Sequence, residues 1–112
     1  MQPVRSLLIG CGARGQAHAR AMVQSQAFDL VAVCDVDLQK AQLTAQTYGI
    51  PRYYTSLHQA IEREDPEHIS CITPPTLRLG IIREILQHAP QSLLVEKPLA
   101  NTLQEALEIQ QA

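Results

Sequence analysis

At 112 residues the chain is about one domain long, too short for a dinucleotide-binding domain plus a separate substrate domain. Its 46% hydrophobic and 18% charged residues exclude an intrinsically disordered chain. A net charge of −2, with nine scattered Lys and Arg, excludes the basic stripe that nucleic acid or an anionic membrane needs.

Along the chain, short continuous apolar runs alternate with helical periodicity. Val4 to Ile9 is suited to a strand buried on both faces, and it follows directly on a start with no signal-peptide pattern. An Ala-rich helix is expected from Gly15 to Ser25. Phe28 to Cys34 is a second buried strand; interrupted by Asp29, it is too short to span a membrane. Asp37 is placed to cap a helix from Leu38 to Tyr48, with Ala41, Ala45 and Tyr48 on one face and Gly49 as its stop. Arg52 to Thr55 is a short third strand. Ser56 and Gln59 form a capping box for a helix to Arg63. His68 to Ile72 is the fourth strand. The helix Leu77 to His88 carries Leu77, Ile81, Ile82, Ile85, Leu86 and Ala89 on one side. Ser92 to Glu96 is the fifth strand, and Thr102 with Glu105 caps a last helix. The alternation predicts an α/β, doubly wound parallel Rossmann sheet of order 3-2-1-4-5 with helices on both faces. Its ligand crevice lies at the carboxyl ends of strands 1 and 4.

Four segments reach that edge. Gly10-Cys11-Gly12-Ala13-Arg14-Gly15 is a G-x-G-x-x-G between strand 1 and the first helix. Gly10 serves the tight turn, Gly12 the approach of a pyrophosphate, Gly15 the packing of helix on strand, and the helix N-terminus attracts phosphate. Asp35 ends strand 2 about 20 residues after Gly15, where an acidic residue holds the adenosine ribose hydroxyls; its charge disfavours a 2′-phosphate, hence NAD over NADP. Thr73-Pro74-Pro75 faces the glycine loop across the crevice. Glu96-Lys97-Pro98 ends strand 5, which puts the Lys97 ammonium on the nicotinamide side, able to act as acid or base. Each segment also has a plain structural reading: a ligand-free βα turn, a helix cap, a rigid loop, a solvated ion pair. A glycine loop with an acidic residue after strand 2 also occurs in S-adenosylmethionine-dependent methyltransferases, which carry an acidic residue where this chain has Leu8.

Taken together, the glycine loop, Val-Cys-Asp-Val-Asp, Ile-Thr-Pro-Pro and Val-Glu-Lys-Pro-Leu-Ala resemble the N-terminal nucleotide-binding domain of the Gfo/Idh/MocA oxidoreductases over nearly the whole chain. The resemblance implies NAD(P)-dependent hydride transfer at a sugar, cyclitol or similar carbon. On the matching positions, Gly10, Cys11, Gly12, Ala13, Arg14, Gly15, Asp35, Thr73, Pro74 and Glu96 bind cofactor, and Lys97 is the active-site lysine. Arg78 departs from a His frequent in the family. Family members continue into a substrate domain with no counterpart here. Residues 1–112 are therefore expected to be the dinucleotide-binding domain of a longer, cytoplasmic, homo-oligomeric enzyme, with a small-molecule substrate held by the missing domain. A non-catalytic dinucleotide-binding module is the competing reading. Cys11, Cys34 and Cys71 have no disulfide or metal spacing. Cys34 and Cys71 are expected to be buried. Cys11 is expected to be a filler in the loop, where a helix N-terminus can lower a thiol pKa. His18 is placed near the glycine loop, and His58, His68 and His88 at surface or helix-end positions.

Overall fold

The structure, a computed structural model, describes residues 2–73 and 75–95, with backbone alone over 75–79. In chain order the elements are β1 (Val4–Ile9), α1 (Ala13–Gln24), β2 (Phe28–Cys34), α2 (Leu38–Tyr48), β3 (Arg52–Tyr54), α3 (Leu57–Glu64), β4 (His68–Cys71), α4 (Pro75–His88) and β5 (Ser92–Val95). The strands form one parallel sheet of order β3-β2-β1-β4-β5, as the alternation of apolar runs and helices predicts. The expected strand end at Glu96 and the expected last helix lie outside the described residues.

Both faces of the sheet are covered, which is why its central strands read as unbroken apolar runs. On one face Leu7, Ile9, Val31, Ala32, Ile69 and Cys71 pack against Ala60, Ile61 and Ile85 of α3 and α4. On the other, Leu8, Leu30 and Val33 pack against Ala19, Met22 and Ala45 of α1 and α2. Leu86 and Ala89, expected on the buried side of α4, are exposed instead; Ile82 and Ile85 carry that face.

The local signals act as written. Asp37 Oδ1 accepts from the amides of Gln39 (3.0 Å) and Lys40 (3.3 Å), and Gly49 stops α2 in the left-handed region. Ser56 Oγ accepts from the Gln59 amide. Two boundaries shift for identifiable reasons. α1 starts at Ala13, because Gly12 takes the N-cap position and leaves Gly15 inside the first turn. α4 starts at Pro75, where a missing amide hydrogen costs nothing. α3 and α4 both end on a non-glycine residue with positive φ followed by proline: Asp65 (φ 45°) and Ala89 (φ 57°). Asp tolerates that region, whereas Ala has a Cβ penalty. Ala89→Gly is therefore expected to stabilise the chain by about 1 kcal/mol, read from the midpoint of urea unfolding.

The amino edge of the sheet holds two buried polar groups that local sequence does not announce. Glu64, whose side chain is 2% exposed, takes Arg5 Nη2 (2.7 Å), Arg52 Nη2 (2.9 Å) and Tyr54 Oη (2.6 Å) on its carboxylate, with Arg52 Nε on the second oxygen. Arg5 Nε also donates to the Glu64 carbonyl at 2.6 Å. One carboxylate thus ties β1 and β3 to α3. His68, expected at a surface or helix end, is instead 7% exposed on β4, because β1 and β5 flank that strand on both sides. Its Nδ1 lies 2.6 Å from Ser92 Oγ and its Nε2 2.8 Å from Ser70 Oγ.

Both groups make the fold acid-sensitive. Burial lowers the pKa of His68 from its ordinary 6.5. The unfolded chain then binds the proton more readily, so stability is intact above about pH 6.5 and falls as pH drops toward the lowered value. Burial alone would raise the pKa of Glu64, but hydrogen bonds from Arg52 and Tyr54 and the charges of Arg52 and Arg5 outweigh it and leave it below 4.5. Its stabilisation is present above that value and lost as pH falls through the folded one. Urea unfolding between pH 8 and about 2 should show a two-stage decline, the Glu64 stage falling below pH 4.5, and His68→Gln should flatten the upper stage only.

Candidate functional site: the carboxyl edge

The loop between β1 and α1 is shaped by three glycines with separate tasks. Gly10 has φ 102°, and a Cβ there would lie 2.1 Å from the Ile72 carbonyl oxygen. Its bareness therefore serves the contact between this loop and the end of β4, at the switch point, as well as the turn. A Cβ on Gly15 would lie 1.9 Å from the Gly10 carbonyl oxygen, so Gly15 lets the first turn of α1 fold back onto the loop. Gly12 differs: it has φ −73°, is exposed, and a Cβ there would meet nothing within 4 Å. Among the described residues nothing asks for glycine at that position. Gly12 caps α1 without a side-chain acceptor, and Ala13 and Arg14 follow it, exposed, in the first turn. The edge therefore presents a helix N-terminus with open space above it, the arrangement that receives phosphate.

Asp35 stands at the end of β2, half-buried. Its Oδ2 accepts the Cys11 amide hydrogen at 2.8 Å and its Oδ1 the Asp37 amide hydrogen at 2.8 Å. The glycine loop and the acidic residue, separate signals in the sequence, thus meet. A bulge makes this so. β1 pairs Ser6 with Leu30 and then Leu7 with Ala32, leaving Val31 as an extra residue. Val31 and Ala32 consequently both face α3 and α4, Val33 faces α1 and α2, and Asp35 emerges on the side of Cys11. Without the extra residue, the alternation would send Asp35 to the opposite face.

Cys11 is fully buried and packs with the α1/α2 face; its Sγ lies 3.9 Å from the Cys34 carbonyl oxygen. Burial pushes its pKa up to about 11, with the Asp35 charge adding to the rise and a Thr44 hydrogen bond opposing it. Burial in the core therefore decides the Cys11 pKa, against the lowering that a helix N-terminus can bring. Cys34 is pushed up to about 12, by burial first and then by Cys11 and Asp35. All three cysteines are buried and outside any disulfide, and Cys34 and Cys71 sit in strands as expected. Gln16 Nε2 donates to the Cys11 carbonyl at 3.2 Å, a contact the sequence reading missed; a polar residue early in α1 has no distinguishing pattern.

Thr73 stands two residues past the end of β4 and comes to the same place: its Cγ2 lies 3.5 Å from where a Gly10 Cβ would stand. Its Oγ1 is 3.5 Å from Cys71 Sγ. β5 ends at Val95, paired with Cys71, so the chain leaves the fifth strand on this edge too. Pro74, Glu96 and Lys97 lie outside the described residues. His18 is half-buried on α1. Among the described residues there is no group of three or more side chains able to hold a metal ion, and no helix long and apolar enough to cross a membrane.

Known proteins are similar to this chain in sequence and in fold. D-apiose dehydrogenase of Paraburkholderia graminis is 26% identical over 102 residues, 91% of this chain and 27% of its own length. Trans-1,2-dihydrobenzene-1,2-diol dehydrogenase of Danio rerio is 39% identical over 80 residues, 68% of this chain and 22% of its own. The crystal structure of myo-inositol 2-dehydrogenase from Lactobacillus plantarum superposes with a TM-score of 0.89 at 26% identity, covering 98% of this chain and 32% of that one. The chain spans about a quarter of the length of these two curated relatives. The Gfo/Idh/MocA family model, an oxidoreductase family with an NAD-binding Rossmann fold, matches residues 4–112, and the chain belongs to that family.

Proposed function

We propose that residues 1–112 are the dinucleotide-binding domain of a dehydrogenase that acts on a hydroxyl- or carbonyl-bearing carbon of a sugar, cyclitol or similar small molecule. The observation that carries this reading is the meeting of Asp35 with the glycine loop, through the Cys11 amide, beside an open helix N-terminus. The residues present fit NAD(H): the space above Gly12 is the kind of cradle that a side chain would fill, and the acid stands next to it.

In this reading the loop backbone at Gly12, Ala13 and Arg14 holds the pyrophosphate, and α1 adds its positive end. Asp35 accepts the ribose hydroxyls. Its negative charge repels a 2′-phosphate, which favours NAD over NADP. Thr73, Pro74 and Glu96 serve as further cofactor-binding residues, Thr73 and Pro74 toward the nicotinamide half. Lys97 holds the reacting oxygen of the substrate and moves the proton there. When bound, the nicotinamide supplies the hydride acceptor or donor. The chain's own task is to orient that ring and to keep Lys97 within reach of the oxygen. Substrate recognition belongs to a further domain, as the short coverage of the relatives supports. The cytoplasm and a homo-oligomeric assembly complete the proposal.

Lys97→Ala tests the catalytic part in the protein that carries both domains. Turnover should fall by about 100-fold or more, with NADH affinity within about twofold of the wild type. Unchanged turnover would leave a binding module with no use for the lysine.

A further inference from the structure

The glycine loop is held by groups of the chain itself, and these converge on Cys11. Its amide hydrogen goes to Asp35 Oδ2 at 2.8 Å, its carbonyl takes Gln16 Nε2 at 3.2 Å, and its side chain is fully buried beside Cys34 and Thr44. The other oxygen of Asp35 accepts from Asp37, which itself caps α2. One carboxylate thereby connects the start of α2 to the middle of the glycine loop.

We propose that Asp35 and Gln16 are the positioning residues of the glycine loop, acting through Cys11, in addition to any contact Asp35 makes with ribose. The proposal rests on the nucleotide-binding reading above. A carboxylate has about four acceptor directions, two per oxygen. Each Asp35 oxygen uses one on a backbone amide and keeps another for a ribose hydroxyl, so holding the loop and holding the sugar are compatible. Removing the carboxylate removes both. It strands the Cys11 amide, since Cys11 is buried and that hydrogen has no other acceptor among the described residues.

This separates two accounts of Asp35. If the residue acted only by accepting ribose and repelling a 2′-phosphate, Asp35→Ala would weaken NADH binding and strengthen NADPH binding. If it positions the loop, the same change weakens both. Gln16→Ala is the second arm: it leaves the Asp35 carboxylate, and so the group facing the ribose, untouched. It should weaken NADH and NADPH by the same factor, about tenfold, without changing their ratio.

The experiment has two readouts on the 112-residue chain. The first is hydrogen exchange of the Cys11 amide in the free chain, followed by NMR. It should be slow in the wild type and become at least about tenfold faster in Asp35→Ala, while amides of β1 and β4 keep their rates. The second is calorimetric titration with NADH and NADPH. Equal Cys11 exchange in both chains overturns the proposal, as does an Asp35→Ala chain that gains NADPH affinity. A wild-type chain that binds neither nucleotide contradicts the function proposed above. The exchange arm, which needs no nucleotide, still decides whether Asp35 holds the loop.

Discussion

Gly12→Ala should unfold at the same urea concentration as the wild type and bind NADH about 100-fold more weakly, a loss near 2.7 kcal/mol. Gly10→Ala and Gly15→Ala should do the opposite and fail as folds. The contrast follows from what an added Cβ meets. At Gly10 it meets the Ile72 carbonyl oxygen at 2.1 Å, with φ at 102°, and at Gly15 the Gly10 carbonyl oxygen at 1.9 Å. These are backbone atoms just past the ends of the central strands β1 and β4, which cannot yield without disturbing the pairing of those strands. Each substitution should cost at least about 4 kcal/mol, a large part of the ~5–15 kcal/mol by which a domain is stable. At Gly12 the Cβ enters open space and φ is −73°, so the fold is indifferent. In the function proposed above, it is the incoming pyrophosphate that needs that space. Urea unfolding and calorimetric titration of the three variants check the whole set. A Gly12→Ala chain with undiminished NADH affinity would mean that the loop does not receive the pyrophosphate at Gly12.

Replacing both guanidinium groups around Glu64, as Arg5→Met/Arg52→Met, should destabilise the chain by about 3–5 kcal/mol. The carboxylate is almost fully buried and would keep only the Tyr54 hydroxyl from its present partners. Removing Glu64 instead should cost less, about 2 kcal/mol, because the Arg5 and Arg52 side chains are 39% and 46% exposed and can turn to water. The double variant should also reverse part of the pH response. With its cations gone, burial dominates at Glu64 and raises its pKa, so the penalty shrinks as pH falls. Urea unfolding at pH 7 and pH 5 measures both effects. A double variant within about 0.5 kcal/mol of the wild type would show that the cluster is dispensable to the fold.

The features legible in the sequence are those whose cause is local. The runs Val4–Ile9 and Phe28–Cys34 are mainly apolar, as strands covered on both sides are, and the alternation of such runs with helices carried the sheet order. Asp37, Gly49 and Ser56 act on amides or carbonyls within four residues of themselves. The glycine loop and Asp35 were legible as two motifs at a known separation. Their direct contact was not, because it depends on the bulge at Val31. Leu30 to Cys34 are apolar whichever face they meet, so no pattern marks where the register slips. Glu64 and His68 escaped for a different reason. Arg5 lies 59 residues from Glu64, and Ser92 lies 24 residues from His68. Only the closed sheet brings them together. Taken alone, a Glu at a helix end and a His at a strand start are indistinguishable from surface residues.

Calorimetric titration of the chain with NADH and with NADPH tests the central claim most directly. Saturable one-to-one binding of NADH, tighter than that of NADPH, is the predicted result. Failure of both nucleotides to bind a chain that unfolds cooperatively would contradict it: the carboxyl edge, loop and acid together, would then be a structural turn without a ligand.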